Sequence, residues 1–169
     1  MTSLTRVLTS TALVAIGNQL SAPSNTSLTL DKKVLTLSAA RQIVMAAEAE
    51  ATRRGLGVVI VVVDDSRTVI ELACMDGAQV ASVNVGIGKA RTAAIYRRPS
   101  RVFEEQIRDG RVAALALADA TPLQGGVPIL INSKVVGAVG VSGDSPQVDE
   151  EIAIAGAKVI AKFGPDVQQ

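Results

Sequence analysis

The chain has no histidine, no tryptophan, one cysteine and very few aromatic residues. Without imidazole, zinc sites of the histidine type, Ser-His-Asp triads and imidazole proton shuttles are excluded. The lone Cys74 excludes an intrachain disulfide and any multi-cysteine metal site, and its apolar surroundings predict a small buried hydrophobe. Aromatics make up 2% of the 169 residues, so there are few flat faces on which bases could stack. Lysine and arginine total 17 against 16 acids, a formal charge of +1, which gives no long-range pull on a phosphate backbone. Nucleic acid is therefore not an expected partner. No stretch is long and apolar enough to predict a membrane span, so a membrane is not expected either.

What is present is a 48% apolar composition dominated by Val, Ile, Leu and Ala, enough to fill one core. Residues 1–33 read as an N-terminal extension and linker, with a weak signal-like segment near its start. Residues 34–164 read as the folded domain and 165–169 as a tail. Retention of the extension points to the cytoplasm, and its removal as an export signal would point to secretion.

Ser38 is the expected N-cap of a first helix, whose apolar stripe is Ile43, Val44, Ala47 and Ala51 and whose end is Gly55. Gly57 to Val63 is an unbroken β-branched run, predicting a central strand covered on both faces. Asp64 to Arg67 has turn chemistry, and Thr68 to Met75 returns as the second strand. A helix from Val80 to Tyr96 is dense in small residues, which permit close approach of a sheet or a ligand. Ser100 is the expected cap of a short helix through Ile107, while Val112 to Ala118 fits either helix or buried strand. Val127–Ile131 and Lys134–Val141 form a second hairpin across Asn132-Ser133, with Gly137 and Gly140 at close backbone contacts. A final helix runs from Gln147 to Phe163. Two hairpins framed by helices predict an α+β layered domain.

Several ordered motifs carry a resemblance. They are Asp76-Gly77-Ala78 after a strand, Gly88-Lys89-Ala90-Arg91-Thr92-Ala93 inside a helix, Gly125-Gly126-Val127-Pro128-Ile129 before a hairpin, and Val136 to Gly143 leading to Asp149-Glu150. Over Leu35 to Phe163 the chain resembles the GlcG/HbpS family, also found as the C-terminal part of PduO-type proteins. The resemblance implies a profilin-like three-layer α/β/α domain with a central antiparallel sheet, and a homo-oligomer. It also brings haem, which some relatives bind or degrade; others sit beside glycolate or cobalamin metabolism. The residues themselves predict no cofactor and no metal. Without histidine, only Tyr96, Cys74 and the methionines remain as iron ligands, and packing roles suit them better. Cys74 also stands where relatives often have Arg before Met-Asp-Gly-Ala, which removes an anchor for an anionic group.

The candidate catalytic residues are Asp76, a carboxylate at a strand end, and Lys89, an amine in the small-residue helix. Burial would lower the amine's pKa and make it a base or Schiff-base nucleophile. The structural alternatives are a turn or N-cap role for Asp76 and an ion pair of Lys89 with Asp76 or another acid. Gly125, Gly126, Ser142 and Gly143 could expose backbone N–H groups to an anion, and Arg91 and Tyr96 complete the candidate ligand-binding set. Asp149 and Glu150 suit the first turn of the last helix. The expected function is a small-molecule-binding protein whose ligand is an anionic or cyclic metabolite, held in a hollow between the small-residue helix and the glycine loops. The alternative is a metal-free isomerase or lyase using Asp76 or Lys89 for proton transfer.

Overall fold

A computed structural model of the chain describes residues 28–161. The signal-like segment, most of the predicted extension, the end of the last helix at Phe163 and the tail lie outside them. Four helices and four strands follow in the order α1 (Leu37–Arg53), β1 (Val59–Asp64), β2 (Val69–Cys74), α2 (Ser82–Tyr96), α3 (Arg101–Arg108), β3 (Gly126–Ile131), β4 (Lys134–Ser142) and α4 (Pro146–Ala161). The ambiguous segment after α3 is a 3₁₀ turn, Val112–Ala116.

β1 organises the sheet. Its β-branched side chains disfavour helix and fit a pleated surface buried on both sides. Val58 to Val63 are all fully buried. The strands lie in the order β2-β1-β4-β3, every neighbouring pair antiparallel. Successive β1 side chains point to opposite faces. Val58, Ile60 and Val62 pack with Ile43, Ala47 and Ile152 from α1 and α4, whereas Val59, Val61 and Val63 pack with Ala90, Ala93 and Ala94 from α2. The result is the three-layer α+β arrangement that the resemblance implies.

The turns have local causes. Asn132 and Ser133 hold φ of 51° and 58°, the pair of positive values a two-residue hairpin with right-handed strand twist requires. At the β1–β2 turn, Asp64 Oδ1 accepts the N–H groups of Ser66 and Thr68, each at 2.8 Å. The outer edge strand β3 carries Pro128 and a register shift between Ile129 and Leu130.

Two predicted caps are corrected. α1 is capped by Thr36, whose Oγ1 accepts the Ala39 N–H at 3.1 Å; Ser38 already lies inside the first turn. Ser100 precedes α3 without capping it. Its hydroxyl donates to Leu123 O at 2.6 Å and accepts the Gly126 N–H at 2.8 Å, so it ties the loop before β3 to α3. Cys74 is exposed, because β2 is an edge strand with no further strand beyond it.

α2 lies unusually close to the sheet. A Cβ on Gly140 would run into Gly86 O and the Ala90 backbone, and one on Gly126 into Lys89 O. Gly140→Ala is expected to push α2 off β4 and cost about 1–3 kcal/mol, as overpacking against backbone does. Denaturant unfolding measures this, and unchanged stability would contradict the close-approach argument.

Glu50 bonds both Arg53 and Arg54, and Arg54 reaches Glu151 at 2.6 Å, joining α1 to α4. The side-chain bonds from Arg53 and then Arg54 hold the Glu50 carboxyl down at about 2. A depressed carboxyl stabilises the fold above its unfolded value and loses that contribution as pH falls through the folded one. Acid titration of stability is expected to show a loss between about pH 4.5 and 2 that Glu50→Gln lacks. The loss should shrink with added salt.

Candidate functional site

The small residues of α2 let Lys89 enter the interior. Gly86 sits over Val59 and Val61, and Ala90, Ala93 and Ala94 are buried against the sheet. Lys89 is 3% exposed. Its Nζ donates to Asp149 Oδ2 at 2.7 Å and to Val141 O at 3.1 Å. Asp149, 2% exposed, also accepts the Asp144 N–H through Oδ1 at 3.0 Å. Burial pushes the Asp149 carboxyl above its ordinary value, against the opposing pull of the Lys89 ammonium and the Asp144 N–H. The acid that answers Lys89 is thus Asp149, from the first turn of α4, and not Asp76.

Gly125 abuts this pair, Gly126 abuts the Lys89 backbone and Ser142 lies beside Gly86, and the space expected next to Gly125 is filled. A Cβ at Gly125 would lie within about 3 Å of Val141 O, Lys89 Nζ and the Asp149 Cβ. No space remains there even for a methyl group, because the Lys89 side chain occupies it. Gly143 packs against Val58 on the other side of β4. Next to the pair, Glu150 accepts Gln124 Nε2 at 2.5 Å and faces Arg101 Nε at 3.2 Å, so α3, α4 and the intervening loop share one polar seam.

Asp76 does not join this cluster. It is exposed on the turn after β2 and precedes α2 by six residues, so it does not cap that helix; Ala81 occupies the N-cap. Tyr96 ends α2, donates its hydroxyl to Ala118 O at 2.7 Å and packs edge-on against Phe103. Of the nearby arginines, Arg98 lies over Phe103 and Arg101 faces Glu150.

Arg91 points elsewhere, to a second region that the sequence reading did not assemble. α2 covers β1, β3 and β4 and leaves β2 beside it. Val69, Leu72, Ala78, Val83 and Ile87 form a half-buried apolar strip there, packed on the Val59–Val61–Val63 layer. Val83, Ile87 and Arg91 follow at spacings of four on one face of α2. The strip ends in an open depression of about 500 Å³ lined by Ser66, Arg67, Thr68, Val69, Arg91 and Asp119. The apolar-to-cationic order along α2 was readable in the sequence; the pairing with β2 was not. Among the described residues no group of three metal-ligating side chains occurs, and no helix is long and apolar enough to cross a membrane.

Removing one member of the buried pair leaves a buried charge without its counter-ion. Lys89→Met and Asp149→Asn are each expected to cost about 3–5 kcal/mol, and the double variant to recover most of the loss. Urea unfolding of the four proteins measures the coupling. Additive losses would show that the ion pair is not the structural node described.

Comparison with known proteins follows this geometry closely. Residues 35–158 match the family model described as haem degrading protein HbpS-like. Protein GlcG of Escherichia coli K12 is 37% identical over 131 residues, covering 78% of this chain and 98% of GlcG. The crystal structure of Klebsiella pneumoniae protein ORFY superposes with a TM-score of 0.76 at 28% identity, covering 82% of this chain and 98% of that one. A PduOC protein solved as a haem complex shares the fold, with a TM-score of 0.68 at 22% identity over 74% of this chain and 94% of its own. The match to the family model and to nearly all of GlcG, on the same layered architecture, makes this chain a member of the GlcG/HbpS family.

Proposed function

We propose that the chain is a small-molecule-binding protein that works as a homo-oligomer, and that its ligand joins an anionic group to an apolar or cyclic body. The observation that carries this reading is the apolar strip between α2 and β2 running into a depression lined by two arginines. Pockets that orient small ligands combine an apolar wall with few, well-placed polar groups. The oligomer draws support from the 3₁₀ turn. Val112 and Leu115 are three apart, which places them on one face of such a turn, and each is 65% exposed. The free, exposed Cys74 suits a reducing compartment, in keeping with the cytoplasm.

The enzyme alternative has less to stand on. The Lys89 ammonium is engaged by a carboxylate and a carbonyl inside the fold, so its Nζ is turned away from any substrate. Asp76 is exposed and apart from it.

Haem, which the family description and the PduOC complex bring forward, does not fit this chain's residues. The sequence has no histidine, the Tyr96 hydroxyl is committed to Ala118 O, and Cys74 stands exposed on an edge strand.

Native mass spectrometry of the purified protein, with no ligand added, tests the binding reading. A retained small organic acid on a multimer is the expected result, and a bare monomer would overturn it. Hemin titration is expected to give no stoichiometric Soret shift. A tight one-to-one shift abolished by Cys74→Ala or Tyr96→Phe would reverse the conclusion on haem.

A further inference from the structure

Across the depression, Arg67 Nη1 and Asp119 Oδ2 are paired at 2.6 Å. Both residues hold positive φ, 76° for Arg67 and 57° for Asp119. Aspartate tolerates that region, but arginine gains nothing from it. Two segments far apart in sequence thus adopt an uncommon backbone and aim opposite charges at one place. Such conformations persist where the surroundings over-determine them, and they gather at ligand clamps.

Arg91 reaches the same place from α2. Its Nε donates to Arg67 O at 3.2 Å, which fixes the plane of the guanidinium. Among the described residues no carboxylate pairs with its terminal nitrogens, and the side chain is exposed. The planar fork of arginine matches the two oxygens of a carboxylate.

We propose that this depression is a carboxylate subsite. The ligand's carboxylate takes the terminal N–H groups of Arg91, and Arg67 leaves Asp119 to close on the same oxygens. Val69, continuous with Leu72 and Ile87, receives the apolar body. Asp119 is an internal competitor: it holds Arg67 while the subsite is empty, so an anion must displace it to gain the second guanidinium. One unpaired arginine beside an apolar wall favours a monoanion with a hydrophobic body over inorganic phosphate. This assignment rests on the binding function proposed above and names the chemistry of its anionic end.

The test is a titration of the ¹⁵N-labelled full chain with benzoate, with acetate and inorganic phosphate as separate arms at constant ionic strength. Saturable shifts are expected at Ser66–Val69, Arg91 and Asp119, with benzoate binding more tightly than either control. Arg91→Gln should weaken benzoate about tenfold or more, since a charge-assisted bidentate contact is lost. Arg91→Lys, which keeps the charge without the fork, should restore only part of it. Asp119→Asn, which keeps a residue tolerant of positive φ, should tighten binding by freeing Arg67. Arg91 and Asp119 are exposed, so these variants are expected to fold, and thermal unfolding checks that they do. Equal binding by Arg91→Gln, weaker binding by Asp119→Asn, phosphate equal to benzoate, or shifts elsewhere would each overturn the subsite. An organic acid retained by Arg91→Gln in native mass spectrometry would leave the binding function standing and remove only this subsite.

Discussion

The near-contact of α2 with the sheet is the constraint from which the rest follows. It exists because Gly140 and Gly126 present bare backbone where any side chain would meet Gly86 or Lys89. At that distance a lysine on the inner face of α2 has no route to solvent. Its ammonium must find partners inside, and the first turn of α4 supplies Asp149 while β4 supplies Val141 O. One helix–sheet spacing therefore decides which charge is buried, which acid answers it and where α4 begins. Burying a pair of charges is costly even when they meet, and the cost is tolerable here because most of their hydrogen-bonding capacity is met.

The same spacing divides the molecule's polar groups by task. Lys89, Asp149, Glu150 and Gln124 are directed inward and hold elements together. Arg91, two residues beyond Lys89, emerges on the shoulder of α2 and meets the β1–β2 turn. A rotation of about 200° separates them on the helix, enough to move from a sealed interior to an open flank. The open ground beside α2 accordingly lies away from the glycine loops, where β2 is left uncovered.

Much of the fold was legible because the relevant signals are local. The β-branched run of β1, the Asn132-Ser133 turn and the glycines at 137 and 140 each act through their own backbone or immediate neighbours. Lys89 was picked out by the small residues around it, and its burial follows from them. Its partner was not legible, since Asp76 and Asp149 are both acids at element ends and only the chain path separates them. The caps failed for a related reason. Thr36, Ser38 and Ser100 all have capping hydroxyls, but the tertiary position of the Gly125–Gly126 loop recruits Ser100 as a tie. Arg67 and Asp119 carry no sequence signal of pairing, being 52 residues apart. Cys74 was expected inside because its neighbours are apolar, yet an edge strand leaves even apolar sequence partly open.

Both borders of the sheet are broken. Pro128 removes an amide from β3 and the adjacent register shift bends it, so that border cannot template a continuous ladder. At the other border β2 is interrupted too, by a shift at the Val62–Val63 step that leaves Ile70 without a partner in the register. Neither border therefore offers a second sheet an unbroken row of backbone groups, which guards an aliphatic-rich fold against open-ended fibres.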